Sequence, residues 1–349
     1  MRTGFPTHTI RLSVTLIAAG LAVSCADQGQ PTTPTTLSLP PTAAEISPAL
    51  QSDGLPSGAT VHVPGDYATI QEAVNAAGAG GKVFVDAGTY SENVVIRDSG
   101  LRLHAAGKAV LDGTDLKGIG ILVLGTTSQP VRGVEVSGFE VKNFERGIIV
   151  QFGDSAVIRG NEVHHNVDKV PPLVLGEATG IELAPGFFSE VTENAVHDNG
   201  QGGIQLRVGA ADNLVKGNQI YENGTQSDGA TEMGGQGILL TGAGTTRNLV
   251  EENVIDRNWG RGILLTRPVG LAPITGNTLQ RNHLEGNQRS GIAVMDAAAN
   301  NFILQNDARG NNLSNLAPCF RCNLVDFTTF GNTWEKNKGT FNLTDVCLN

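Results

Sequence analysis

Short apolar segments separated by glycine and asparagine recur through most of the 349-residue chain. Apolar and polar residues alternate in several of them, such as Gly180–Leu183 and Gly203–Leu206, which is typical of half-buried β-strands. Six segments begin with Gly-Ile, and they occupy Gly147–Val150, Gly180–Leu183, Gly203–Leu206, Gly237–Leu240, Gly262–Leu265 and Gly291–Val294. The pattern predicts an all-β protein built from many short strands.

Paired asparagines give the period of the repeat. The first member of each pair is aligned as Asn161, Asn194, Asn218, Asn253, Asn277, Asn306 and Asn332, and another asparagine follows each by five residues. Three residues before the first asparagine, six copies are apolar: Ile158, Val191, Val215, Val250, Ile274 and Ile303. We expect these six to form one buried column and both asparagine series to form continuous ladders.

The spacing between copies restricts the fold. The shortest spacings are 23 to 25 residues, whereas a strand–helix–strand unit needs about 30. Each segment must therefore coil directly onto the next turn, with successive coils paired as parallel strands about 4.8 Å apart. Stacked asparagine amides can hydrogen-bond at that spacing. The predicted fold class is a parallel β-helix, a solenoid of single-chain coils.

The N-terminal end of this solenoid is expected to carry a helix. Ile70, Val74 and Ala77 recur at helical spacing, and a strand-like segment follows at residues 82–86. A helix there would cover the open edges of the first strands, which otherwise invite aggregation. We assign residues 59–349 to the β-helix domain, with the N-terminal cap at about 60–90.

Three segments carry a resemblance to a known family: Thr69–Val74, Phe84–Val85 and Gly88–Val95. Together they resemble the N-terminal cap of pectin-lyase-like proteins, and the Gly-Ile and Gly-Asn repeats resemble the repeat of that superfamily over residues 60–345. The resemblance implies a right-handed parallel β-helix. It leaves function open, because the superfamily includes lyases, hydrolases, esterases, epimerases and non-enzymatic proteins.

Residues 1–24 have the pattern of a lipoprotein signal peptide. Arg2 and Arg11 make the beginning basic, a short apolar stretch follows, and Leu21–Cys25 resembles a bacterial lipobox with Ala22 where leucine is usual. This predicts lipidation at Cys25 and export, with the lipid as the membrane anchor. A Pro/Thr-rich tether at 25–58 fits that location. An ordinary cleavable signal peptide is the alternative.

The charge of the chain argues against nucleic acid as a partner. The formal net charge is −10, and without the two arginines of the leader 22 basic residues face 34 acidic ones. Nucleic-acid binders generally present a basic surface. We expect a monomer whose partner is a polysaccharide or a cell-surface glycan.

Three cysteines lie in the expected C-terminal coils at about 312–349. In an exported protein, Cys319, Cys322 and Cys347 are disulfide candidates before they are zinc ligands, since no second Cys-x-x-Cys is present. We expect Cys347 to pair with Cys319 or Cys322, which leaves one thiol unassigned.

Long loops interrupt the repeat at one corner. Fourteen residues separate Asn166 from Gly180 and Asn223 from Gly237, and nine separate Asn282 from Gly291, against four in the shorter coils. Loops at 167–179 and 224–236 would project from the same side and could form the walls of a cleft above the shorter coil between them. Neutral length variation in a tolerant turn is the alternative.

Polar residues flank this corner and form the candidate site. A base, a proton donor and a cation are what proton abstraction beside a uronate carboxylate requires, and the candidates for catalysis are His197, Tyr221, Arg207 and Glu182. The candidates for substrate binding are Gln151, Gln205, His164, Asp198 and Asp256. An ordinary solvated row of polar residues is the alternative.

No catalytic signature of the resembling enzymes is present: we find no Asp-Pro-His-Asp, Gly-His-Gly, Asn-Thr-Asp or Arg-x-Pro-x-x-Arg. The first hypothesis is therefore a polysaccharide-binding lipoprotein whose activity, if any, is unidentified. The second is a lyase or epimerase on an acidic glycan, for which Ca²⁺ would be the expected cofactor. The third is a periplasmic metal-handling protein using His164, His197 and Asp198; we assign no metal ligand on sequence grounds.

Overall fold

The protein is a parallel β-helix in which each coil contributes strands to three long sheets. The computed structural model describes residues 58–169, 178–226, 234–266, 272–296, 298–313, 322–326, 328, 331–344 and 346–348, with side chains to Phe341. Each coil runs from sheet A through the AB corner to sheet B, through the BC corner to sheet C, and through the CA corner back to sheet A.

The described strands of the three sheets are short. Sheet A contains Thr60–Val63, Lys82–Val85, Arg102–Ala105, Glu135–Ser137, Val157–Arg159, Glu190–Thr192, Leu214–Lys216, Leu249–Glu251, Thr278–Gln280, Phe302–Leu304 and Thr333–Glu335. Sheet B contains Gly88–Tyr90, Ala109–Asp112, Glu140–Lys142, Glu162–His164, Ala195–His197, Gln219–Tyr221, Val254–Asp256 and His283–Glu285. Sheet C contains Val94–Ile96, Ile119–Leu124, Arg146–Gln151, Thr179–Leu183, Gly202–Arg207, Gln236–Thr241, Ile263–Thr266, Ile292–Val294, Leu324–Asp326, Phe341–Thr344 and Val346–Leu348.

Two small sheets lie at the CA corner. One consists of Val131–Arg132, Gly153–Asp154 and Gly186–Phe187, and the other of Ile274–Thr275 and Ala298–Ala299. Neighbouring strands in all sheets are parallel except Val346–Leu348, which returns antiparallel to Phe341–Thr344. Alternate residues of sheets A, B and C point inward and form one continuous core along the axis.

The cap helix is present at Ile70–Ala77. Thr69 is its N-cap, and Thr69 and Glu72 exchange the two hydrogen bonds of a capping box. Two further N–H groups, of Ile70 and Gln71, donate to the Glu92 carboxylate at 2.8 and 2.9 Å. The apolar face of the helix joins the main core, so the helix closes one end of the domain.

Asparagine ladders follow each of the AB, BC and CA corners. The AB ladder runs through Asn161, Asn194, Asn218, Asn253, Asn282, Asn306 and Asn337. The BC ladder runs through Asn166, Asn199, Asn223, Asn258, Asn287 and Asn311. The CA ladder, which the sequence alignment did not separate, runs through Asn213, Asn248, Asn277, Asn301 and Asn332.

The predicted ladders are therefore confirmed, but the alignment is wrong at two of the later copies, whereas Asn306 and Asn311 are aligned correctly. Asn282 and Asn337 belong to the AB ladder, and Asn332 belongs to the CA ladder. Asn277 belongs to the CA ladder, and Leu279 replaces Ile274 in the buried column of sheet A, where it pairs with Val250 and Ile303. Ile274 is buried in a small sheet at the CA corner instead. The error arose because one coil contains three asparagines at intervals of five residues. An alignment shifted by five residues therefore still places asparagine over asparagine. The enlarged corner expected between Asn282 and Gly291 disappears with it.

Several predictions lie outside the described residues. They are the signal peptide at 1–24, the tether up to residue 57, lipidation at Cys25, and the side chains of Cys319 and Cys347. Cys322 is buried and disulfide-bonded, and its partner stays a prediction. No helix among the described residues has the length and apolarity needed to cross a membrane.

Candidate functional site

The stems of the two long BC loops meet above the short coil between them. The side-chain amide of Gln226 bonds the backbone of Asp168 twice: its Oε1 accepts from the N–H at 2.8 Å, and its Nε2 donates to the carbonyl at 3.0 Å. This amide crosses Gly200, where a Cβ atom would lie 2.4 Å from Gln226 Oε1. The described stems therefore lie on the same side, as predicted, and Gln226 crosses above the short coil at the corner.

The candidate residues of sheet B form one outward row, which we call the histidine row. His164, His197, Tyr221 and Asp256 occupy equivalent positions on four successive strands. The ring centroids of His164 and His197 are 4.8 Å apart and those of His197 and Tyr221 are 4.6 Å apart, with both pairs nearly parallel. The rings thus stack along the axis, since the distance between neighbouring strands, about 4.8 Å, is close to the distance between stacked ring centroids.

Both ring nitrogens of His197 lie beside carboxylates. Its Nδ1 is 2.8 Å from Asp198 Oδ2 and its Nε2 is 3.4 Å from Glu162 Oε1. A catalytic base needs a nitrogen within hydrogen-bond reach of the substrate proton. In this arrangement each nitrogen is directed at an acidic side chain of the protein itself.

The neighbours of His197 have shifted pKa values. Burial, reinforced by charges on His197 and His165, lowers the pKa of His164, so its neutral imidazole is favoured. Burial raises the pKa of Tyr221, and Glu162 and Asp198 raise it further. The Tyr221 hydroxyl therefore stays protonated and can donate a hydrogen bond. Burial also raises the pKa of Asp256.

The remaining candidates lie on the outer face of sheet C. Glu182 is 3% exposed, and its two oxygens lie 3.9 Å from the Arg146 guanidinium and 3.5 Å from that of Arg207. Gln205 stands beside Glu182 on the next strand and is buried. The side chain of Arg207 remains 30% exposed, and Gln151 is exposed. We call Arg146, Glu182 and Arg207 the guanidinium–carboxylate cluster.

The same face becomes apolar further along the axis. Leu239, Leu264, Ala293 and Val325 continue the row of Glu182 and Gln205 and form a second buried cluster with Cys322. On this row the outer face of sheet C is apolar at Val95, Leu122 and Ile149, polar at Glu182 and Gln205, and apolar again from Leu239 onwards. Arg146 was not among the predicted site residues, although its place just before a Gly-Ile strand could have indicated it.

The structure therefore divides the single predicted site into two. His164, His197, Asp198, Tyr221 and Asp256 lie on sheet B or at its end, whereas Gln151, Glu182, Gln205 and Arg207 lie on sheet C. The BC ladder and the Gln226–Asp168 contact lie at the corner between them. The prediction that His197 and Arg207 share one site is therefore corrected. The chain turns at the BC corner between these two residues and places them on different sheets. The individual roles stay predictions.

Metal binding finds no support in the donor set. In the described part of the chain, no three His, Cys, Asp or Glu side chains are arranged to hold a metal ion. Ca²⁺ requires several oxygen ligands, and on sheet C the Glu182 carboxylate is engaged by two guanidinium groups instead. The residues present there do not fit the calcium site that a lyase would need.

Solved structures with the same fold have low sequence identity to this chain. The A-module of the mannuronan C-5 epimerase AlgE4 from Azotobacter vinelandii matches with a TM-score of 0.54 and 17% identity, over 78% of this chain and 83% of that one. XylC in complex with xylose matches with a TM-score of 0.56 and 10% identity, over 81% of this chain and 70% of that one. The Dettilon tailspike protein matches with 0.53 and 16%, over 82% of this chain but only 56% of its own.

These likenesses establish the fold alone. No curated protein matches the chain. The family described as "right handed beta helix region" matches at residues 82–246, 119–308 and 229–338, which overlap to cover 82–338. This span includes all three ladders, sheet B and all but the last two described strands of sheet C. The chain therefore belongs to the right-handed β-helix family.

Proposed function

We propose that the protein is an exported lipoprotein whose β-helix binds an acidic polysaccharide at the polar part of sheet C, without catalysing a reaction on it. The observation that carries this proposal is the guanidinium–carboxylate cluster. Arg207 lies beside a buried carboxylate, and its side chain is still 30% exposed. A guanidinium placed in this way is suited to a planar carboxylate such as that of a uronate.

The surroundings of Arg207 support a chain-like ligand. Gln151 lies two coils away on the same row, a separation of about 9.6 Å from the strand spacing. Two hydrogen-bonding side chains at this separation along a straight edge suit neighbouring units of a polymer that carries hydroxyls and carboxylates. Two of the proteins with the same fold are a mannuronan C-5 epimerase module and XylC in complex with xylose, which also supports a saccharide ligand.

Replacing Arg207 with glutamine tests this function. We expect the full chain to be retarded in native gels containing polygalacturonate or mannuronan, and Arg207→Gln to bind about tenfold more weakly because a charge-assisted hydrogen bond is lost. Raising the salt concentration should weaken the wild type more than the variant.

The matched control is Arg257→Gln. Arg257 is an exposed arginine at the end of sheet B that also pairs with a glutamate, Glu222. The control changes net charge equally and should bind like the wild type. Equal loss in both variants, or no retardation of the wild type by any acidic glycan, would contradict binding at sheet C.

The membrane anchor is tested separately. Cys25→Ser should move the protein from the washed membrane fraction to the soluble or unprocessed fraction, because the lipid is the proposed anchor. Persistence of the variant in membranes after a high-salt wash would rule out lipidation at Cys25 as the anchor.

The second candidate function is a lyase or epimerase, and the His197–Asp198 pair is the observation that favours it. Incubation with the same glycans, followed by ultraviolet absorbance of unsaturated products and by reducing-end release, detects lyase or hydrolase activity; epimerisation needs NMR of the polymer. Turnover by the wild type that is lost in His197→Gln would replace the binding proposal with an enzymatic one.

A further inference from the structure

A separate cavity lies at the CA corner, on the first small sheet. It has a volume of about 380 Å³ and is half-open to solvent. Its wall is made mostly of rings, with a few polar groups: Pro130, Phe152, Pro185, Phe187, Phe188, Thr126, Thr127 and Asp154. We call it the corner pocket. A concave, mainly apolar surface with a few placed polar groups is the usual form of a small-ligand site.

The backbone of three successive coils builds the wall. Phe152 N–H donates to the Pro185 carbonyl at 2.8 Å, and the Phe152 carbonyl accepts from Val131 N–H at 3.1 Å. A Cβ atom on Gly125 would lie 2.3 Å from the Phe152 carbonyl oxygen, so only glycine allows the turn carrying Thr126 to approach this closely. The rings are therefore held in stacked coils by ladder hydrogen bonds.

Two of the phenylalanines have a backbone conformation that bulky residues rarely adopt. The φ angles of Phe152 and Phe188 are 52° and 49°, in the left-handed region that is unfavourable for side chains of this size. Phe188 is nevertheless 43% exposed. The left-handed turn itself belongs to the coil, because Asp212 and Arg247 adopt it at the same corner. What sets this corner apart is that the turn carries an exposed aromatic ring, which offers a surface to a ligand.

The polar groups of the pocket are also held in fixed positions. Asp154 accepts hydrogen bonds from Arg132 Nε at 3.1 Å and from Ser155 Oγ at 2.9 Å. Thr126 Oγ1 accepts from Gln129 N–H at 3.0 Å within its turn. A carboxylate and a hydroxyl thus face a wall of aromatic and proline rings.

We propose that the corner pocket is a binding subsite for one pyranose ring of the polysaccharide. The apolar C–H face of the sugar packs against Phe187 and Phe188, and its hydroxyls donate to Asp154 and bond the threonines. An amphipathic ring with one apolar face and a polar edge matches this division of the wall better than a purely apolar ligand does.

The pocket continues the binding edge of sheet C. Phe152 directly follows Gln151 in the chain. Pro185 directly follows Ala184, which stands next to Arg207 in the neighbouring coil. This inference rests on the proposed function, since it assigns the pocket to the same ligand. The ligand would run from Arg207 and Gln151 round the CA corner into the pocket.

The test uses saturation-transfer difference NMR on the full chain with methyl β-glucopyranoside, methyl β-galactopyranoside and cyclohexanol. We expect at least one glycoside to receive saturation at its ring C–H protons, and Phe188→Ala to weaken its binding about tenfold. Val254→Ala is the control, because Val254 is equally exposed, at 43%, on sheet B; it should leave binding unchanged. Binding of cyclohexanol without either glycoside overturns the sugar assignment.

The gel assay separates this inference from the proposed function. If the wild type binds acidic glycan and Phe188→Ala binds it equally well, the pocket is not a subsite although the function stands. If the wild type binds no polymer but a glycoside binds in a Phe188-dependent way, the pocket binds sugar and the proposed function fails. Weakening of both polymer and glycoside binding by Phe188→Ala, while its thermal midpoint matches that of Val254→Ala, supports the inference.

Discussion

Replacing Asn218 with alanine is expected to lower the free energy of unfolding by about 3 kcal/mol. Asn218 is fully buried in the AB ladder. Its Oδ1 accepts from both the N–H and the side-chain amide of Asn194 at 3.0 Å. Its Nδ2 donates to the Val191 carbonyl at 2.8 Å and to Asn253 Oδ1 at 2.9 Å. Alanine leaves these buried groups without the partners that Asn218 supplies, and each unsatisfied buried group costs about 1–3 kcal/mol.

Urea denaturation followed by circular dichroism measures this effect. The matched control is Asn75→Ala, because Asn75 lies exposed in the cap helix and accepts one hydrogen bond, from Gln71. Alanine favours the helix, so the control should change stability little. If Asn218→Ala unfolds at the same urea concentration as the wild type, the ladder does not stabilise the fold.

Replacing Gly237 with alanine is expected to cost about 3 kcal/mol for a different reason. The added Cβ would lie 2.5 Å from Ile255 Cγ2, 2.7 Å from the Gly262 carbonyl oxygen and 3.0 Å from Asn258 Nδ2. The carbonyl cannot move freely, because it accepts the ladder hydrogen bond of Ile238 N–H at 2.8 Å. One methyl group therefore disturbs the core, the backbone hydrogen bonds of sheet C and the BC ladder together.

The same urea titration tests this substitution against Gly65→Ala. At Gly65 the nearest atom to an added Cβ is His62 Cβ at 3.5 Å, an ordinary contact. The control should be neutral or slightly stabilising, since alanine reduces the freedom of the unfolded chain. Comparable destabilisation by both substitutions would show that steric crowding at the Gly-Ile strands is not the cause.

These crowded positions explain why the sequence predicted the fold so well. Each Gly-Ile strand begins where a β-carbon would meet the next coil, as at Gly203, where the Gly237 carbonyl oxygen lies 2.6 Å from an added Cβ. A coil of this kind accepts only glycine there and needs a buried amide at its corners. Such requirements recur in the successive coils from Gly147 to Val294, so they are visible as a repeat.

The register of the later coils could not be read in the same way. Amides five residues apart, such as Asn277 and Asn282, satisfy the same local pattern at the CA and AB corners. Whether such an asparagine belongs to the CA or the AB ladder depends on which asparagine of the neighbouring coil donates a hydrogen bond to it. That neighbour is set by packing of the whole stack, where Leu279 and not Ile274 pairs with Val250.

The sequence by itself determined that the chain forms stacked parallel coils, with a cap helix at Ile70–Ala77 and apolar columns inside. Only the tertiary structure decided which polar side chains share a surface. His197 and Arg207 are ten residues apart, yet the BC corner turns the chain between them and places them on two sheets. The corner pocket likewise combines Thr126 with Phe188 from different coils. Sequence patterns show the period of the repeat. A surface, in contrast, combines side chains from several coils, and the hydrogen bonds between coils decide which side chains become neighbours.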